Sequence, residues 1–202
     1  MGILRADRIT GLGGAKGIKG SVKFTGGGAL DIDLDGATIG TGNFTIEAWV
    51  YWFGIGATHQ ITGSSSNNFN FYIASADGDL GFYDGSNTYD LNSSNVRANS
   101  WVHVALVRTG TSTNATQVYV NGVKTNDITL ATNFSFNRLL SGINYLDGST
   151  GYGNGHTSNL RFTLDAVYTS TFAPKNQELE VLDNTIVLCC QSPGNIFQEA
   201  TG

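Results

Sequence analysis

The sequence predicts an all-β fold, a sandwich or jelly roll of roughly a dozen short strands, and three observations predict it. Glycine is abundant, at 27 of 202 residues, while charged residues make up only 13% and the helix-favouring Glu, Lys, Arg and Met are scarce. Apolar and polar residues alternate with period two through most of the chain from Ser21 onward. Turn text rich in Gly, Asn and Asp returns about every 8–12 residues, the spacing of short strands packed as two sheets. A chain of this length fits one domain with a sizeable core.

The elements follow in order. "SVKFTG" and "ALDIDLDG" read as two strands separated by "GGG". "NFTIEAWVYWF" (43–53) sets Phe44, Ile46, Ala48, Val50 and Trp52 against Thr45, Glu47, Trp49, Tyr51 and Phe53. Most of both sets are apolar, so it reads as a central strand buried on both faces. Further strands are expected at "HQITG", "NFYIAS", "LGFYDG", "TYDLN", "SWVHVALVRT" and "TQVYVNGVKTNDITL". In the last, Asn121-Gly122 is a hairpin signal, because both turn residues must take positive φ. "SNLRFTLDAVY" and "NTIVLCC" supply two late strands, and "NQELEV" (176–181) has the composition of a single helical turn.

Charge divides the chain. Residues 1–19 carry Arg5, Arg8, Lys16 and Lys19 against Asp7, a net of +3, so the remainder carries −8 of the overall −5. An acidic body argues against nucleic acid as the partner. No run of 18 apolar residues predicts a membrane span, and "MGILRADRIT" lacks the apolar stretch of a secretory signal. The expected organisation is a basic, Gly-rich docking arm at 1–19, a jelly roll at 20–192 and a tail at 193–202.

Three stretches carry a resemblance. "FTIEAWV" (44–50), "WVHVALVR" (101–108) and "VYVNG" (118–122) resemble, in order and spacing, the laminin-G-like, concanavalin A-like jelly-roll superfamily, over about residues 21–172. That superfamily hosts lectins, glycosidases, adhesion modules and scaffolds, so the resemblance implies a fold and leaves the ligand open. "NLRFTLDAVYTSTFAPKNQELEVLDNTIVLCCQSP" (159–193) resembles the C-terminal text of such domains in tailed-phage virion proteins, notably of marine cyanobacterial phages. It departs from them at Leu164-Asp165, where glycine is common, and at Ala173-Pro174-Lys175. "GILRADRITGLGG" likewise resembles the arms that open phage decoration and fibre proteins.

The resemblance implies a non-enzymatic virion structural protein, a capsid decoration protein or a tail or fibre component. It would assemble in the host cytoplasm as a homo-oligomer and be displayed on the virion surface. Arg5, Arg8, Ile9, Lys16 and Lys19 would dock on other virion proteins. The alternative is a carbohydrate-binding module that recognises host surface glycans.

Candidate chemistry is sparse. Asp31, Asp33 and Asp35 lie on one strand face, too far apart along it to converge on one ion. Asp77, Asp79 and Asp84 in "ADGDLGFYDGSN" are calcium candidates in text that equally suits hairpin turns. No other cofactor is expected. "INYLDGSTGYGNGHTSN" (143–159) is either a flexible connection or a rim for sugar, with Tyr145, Tyr152, Asn154 and His156 as contacts. A glycosidase would need two carboxylates across the scissile bond. Glu47 has no acidic partner at +2 or +3, and the glucanase E-x-D-x-x-E spacing is missing, so no enzyme is expected. Trp49 and Trp52 read as core, and His103 as a packed strand residue. His59 and His156 stand isolated in sequence. Cys189 and Cys190 should point to opposite faces of a strand as two reduced, small hydrophobes.

Overall fold

A computed structural model describes residues 17, 19–26, 28–56, 58–91, 96–143 and 153–192. Arm residues Arg5, Arg8, Ile9 and Lys16, the tail, and Tyr145 and Tyr152 lie outside the described residues. Thirteen strands are described: β1 (Val22–Thr25), β2 (Leu30–Asp33), β3 (Phe44–Trp52), β4 (His59–Ser64), β5 (Asn70–Ile73), β6 (Leu80–Tyr83), β7 (Thr88–Leu91), β8 (Trp101–Arg108), β9 (Thr116–Val120), β10 (Val123–Ile128), β11 (Arg138–Ser141), β12 (Asn154–Thr163) and β13 (Thr185–Cys189). They form two antiparallel sheets. One runs β1-β12-β3-β8-β9-β10, with β13 also paired to β12, and the other runs β2-β11-β4-β5-β6-β7. The expected all-β jelly-roll sandwich is what forms.

β1 and β13 share one edge of β12. β1 pairs with Asn154–Thr157, and β13 pairs with Leu160–Thr163. Between them, Asn159 takes a left-handed φ of 50° and β12 gains a residue against β3, a bulge that restores the alternation beyond it. The core between the sheets is aromatic. Phe69 meets Phe44, Phe82 and Phe134 edge-on at centroid distances of 5.6, 5.0 and 5.0 Å, the geometry that ring quadrupoles favour. Arg108, fully buried, lies over the rings of Phe44 and Phe134 and donates to the carbonyls of Gly40, Gly42 and Thr132.

The Asn121-Gly122 hairpin forms as expected, at φ of 49° and 78°. Several expectations need correction. Residues 176–181 are not helical. They belong to an extended strap, residues 164–182, that lies across the outer face of the seven-stranded sheet. The strand expected at 158–168 instead spans Asn154–Thr163, so the last six residues of the supposed 143–159 loop are strand. Asp35 is in a turn at φ 47°, off the face shared by Asp31 and Asp33, and its backbone N–H donates to Asp33. Cys189 and Cys190 both enter the core. Cys190 takes φ 64°, outside the extended region on which strict alternation depends, and the two Sγ atoms lie 3.4 Å apart as free thiols.

Candidate functional site

The outward side chains of the seven-stranded sheet divide into a covered part and an open part. The covered part lies beneath the strap. Thr45 donates to the Asp165 carbonyl, the Trp49 indole to the Lys175 carbonyl, Asn159 to that of Gln177, and Gln191 to that of Leu179. Tyr168 and Phe172 stack at 3.6 Å, and Phe172 packs on His103 and Tyr119. Glu47 lies at the centre, 1% exposed, and its carboxylate accepts from Arg161, His103 and Tyr168. Burial alone would raise the Glu47 carboxyl, yet its bonds to His103 and Tyr168 and the nearby Arg161 and His103 charges hold it below the usual range. Arg161 also donates to the Glu180 carbonyl, so the charge cluster pins the strap to the sheet.

The open part lies two residues further along β3. Lys23 pairs with His156, His156 with Tyr51, and Tyr51 with Trp101, across β1, β12, β3 and β8. Residues paired in this way point to the same face, so the four side chains form one outward row. At the strand spacing the row is roughly 14 Å long. Lys23, Tyr51 and Trp101 are half-buried, and Phe53 flanks the row. The His156 ring stands edge-on to Tyr51 at 5.9 Å and to Phe53 at 5.3 Å. Trp101 meets Tyr51 at 5.6 Å, and Lys23 Nζ lies 5.7 Å from the Phe53 ring centroid.

His156 is 1% exposed. Burial, with the Lys23 charge beside it, pushes its imidazole down to about 4, so it is neutral at pH 7. Its Nδ1 lies 3.4 Å from Ser21 Oγ, while its buried Nε2 and the buried Trp101 Nε1 have no hydrogen-bond partner among the described residues. On the inner side of β12, His59 Nδ1 accepts from the Asn154 backbone N–H, and its Nε2 lies 3.1 Å from Thr157 Oγ1. Burial, with the His156 charge, takes His59 down to about 3. Gly155 permits this approach, because a Cβ there would lie 2.3 Å from the Tyr51 carbonyl oxygen and 3.1 Å from His59 Nδ1.

Other residues singled out in the sequence lie elsewhere. Asp84 accepts from the N–H groups of Ser86 and Asn87 and from the Tyr89 and Thr132 hydroxyls, the task of a loop organiser. Asp77 accepts from the Asp79 N–H, and Asp31 pairs with Arg138. Asp79 is held above the usual carboxylate range by burial and by the Asp77 and Asp90 charges. Among the described residues, no group of three or more His, Cys, Asp or Glu is placed to hold a metal ion. Lys19 meets Glu178 of the strap at 3.7 Å. Asn154 and His156 open β12, with His156 in the row. Sequence reading missed Tyr51, Trp101 and Lys23 because only strand register aligns residues from distant segments.

The two sheets and this face define a lectin-type β-sandwich. Residues 24–179 match the family model described as the concanavalin A-like lectin/glucanases superfamily, and the chain belongs to that family. The search of curated proteins returns no match. Among solved structures, the chain is similar to a Bacteroides ovatus protein provisionally described as carbohydrate-binding. The two share 19% identity at a TM-score of 0.68, over 92% of this chain and 56% of that one. It is also similar to the heptameric pentraxin of Limulus polyphemus (17% identity, TM-score 0.55, 75% of this chain and 78% of that one). A third is domain 4 of an extracellular arabinanase from Geobacillus stearothermophilus, solved with arabinotriose. It shows 20% identity and a TM-score of 0.55, over 73% of this chain and 72% of that one.

Proposed function

We propose that this chain is a non-catalytic carbohydrate-binding module whose sugar seat is formed by Tyr51 and Trp101 beside the buried His156. The observation that carries the reading is a strip of half-buried rings beside the strap, Tyr51, Phe53 and Trp101, packed around the buried His156. Sugars present apolar ring faces with hydroxyls at their rims, and a site of aromatic faces with a few polar groups suits them. The arabinotriose complex of the similar arabinanase domain supports the same class of ligand. Binding without turnover is supported by Glu47, whose carboxylate is occupied by three side chains beneath the strap.

A glycan array probed with the full chain tests the reading. Binding is expected, and Tyr51→Ala or Trp101→Ala should weaken it at least about tenfold, the loss of one good contact, with the circular dichroism spectrum unchanged. Absence of binding to any glycan, or full binding by both variants, would overturn it.

A second reading places the module on a phage particle, held by the arm residues Arg5, Arg8, Ile9, Lys16 and Lys19. It is favoured by the resemblance of residues 159–193 to virion protein text, a stretch that holds the second half of β12, the strap and β13. Deleting residues 1–19 should abolish incorporation into particles, and full occupancy without them would sink the arm.

A further inference from the structure

We propose that the row takes an acidic oligosaccharide, its carboxylate or sulfate seated against Lys23 and a sugar ring lying across Tyr51 and Trp101. The inference rests on the carbohydrate-binding reading and adds the chemical class of the ligand.

Three observations lead to it. Lys23 is the cross-strand partner of His156, so its ammonium terminates the row at the β1 end. Its Nζ lies against the Phe53 ring, and no carboxylate is paired with it among the described residues. Lys19, Lys124, Arg138, Arg161 and Lys175 each meet an Asp or Glu within 4.0 Å, so Lys23 stands apart from most of the described cations. No Asp or Glu occupies the outward positions that flank the row. They are Ser21 and Thr25 beside β1, Asn154 and Ser158 on β12, Phe53 and Trp49 along β3, and His103 on β8. The nearest acid along β3, Glu47, is occupied by Arg161.

The row is therefore asymmetric. It has a cation at one end and ring faces at the other, with the buried His156 between them. A neutral sugar would use the rings and leave the ammonium without a counter-charge. An anionic group there makes a charge-assisted hydrogen bond, stronger than the bond a neutral hydroxyl would make. On a body of net negative charge, an isolated cation in a ring-lined strip selects for an anion locally while the protein as a whole repels it. This contrast favours a short acidic oligosaccharide engaged end-on over a long polyanion laid along the surface.

Calorimetric titration of the full chain tests the inference with trimers matched in backbone: galacturonate against galactose, glucuronate against glucose, and sulfated counterparts of each neutral trimer. At least one acidic trimer is expected to bind roughly tenfold tighter than its neutral match. The advantage should shrink as salt rises toward about 1 M, where exposed charges are screened. Lys23→Gln should bring the acidic-to-neutral ratio to about one, and the carboxylated and sulfated arms identify which anion is preferred. Equal binding of acidic and neutral trimers, or a preference that survives Lys23→Gln, would overturn the acidic ligand. Neutral binding that depends on Tyr51 would then leave the module reading intact. No binding by any trimer, with Tyr51→Ala indistinguishable from the parent, would overturn both.

Discussion

Glu47 shows how far a single residue's role depends on what folds over it. In the sequence it is one glutamate in a hydrophobic strand. In the structure it neutralises Arg161 and fixes His103 and Tyr168 in a site from which water is excluded. Glu47→Gln leaves Arg161 buried without a counter-charge, which typically costs about 3–5 kcal/mol. Urea denaturation is expected to show a loss of that size, and a loss below about 1 kcal/mol would mean the cluster contributes no more than a surface ion pair. Cys190 makes the same point through the backbone. The alternation rule assigns the two sulfurs to opposite faces, and one left-handed φ of 64° brings both into the core.

The strap is the element that the sequence least reveals. Its acidic, straight-chain composition suggests a helical turn, but a helix would satisfy its own carbonyls. The carbonyls of Asp165, Lys175, Gln177, Leu179 and Glu180 accept instead from side chains of or beside the seven-stranded sheet. Those donors are scattered through the chain, so no local pattern announces them. The β9–β10 hairpin lies at the other end of this contact. Gly122 accepts from the Phe172 N–H, and a Cβ on Gly122 would lie 1.9 Å from the Phe172 carbonyl oxygen. Gly122→Ala should therefore destabilise by about 1–3 kcal/mol through both its φ of 78° and this clash. Hydrogen exchange should report the loss first at Phe172. Unchanged protection there would separate the hairpin from the strap.

For the whole molecule, burial of ionisable groups sets the response to acid. His59 and His156 have folded values of about 3 and about 4, depressed from 6.5, so the unfolded chain binds protons first. Their stabilisation is fully present above pH 6.5 and is lost as the pH falls toward those folded values. Each contributes a slope of at most about 1.4 kcal/mol per pH unit in that window. Glu47, also depressed, adds to the loss only below its ordinary 4.5. Thermal melting followed against pH should show stability declining from about pH 6.5 and more steeply below about pH 4.5. A flat profile between pH 6.5 and 5 would mean that neither histidine is held neutral by burial.

The sequence by itself determined the all-β class, the central position of β3, the Asn121-Gly122 hairpin and the family, because each depends on local alternation, turn stereochemistry or short motifs. It pointed to His156 but placed it in a loop. Only the tertiary structure aligned Lys23, His156, Tyr51 and Trp101, which come from four strands and lie up to 133 positions apart, meeting only through sheet register. The strap's course and the left-handed Cys190 were likewise decided by distant packing. Period-two alternation records which face a residue takes, but it carries no information about which strand will lie beside it.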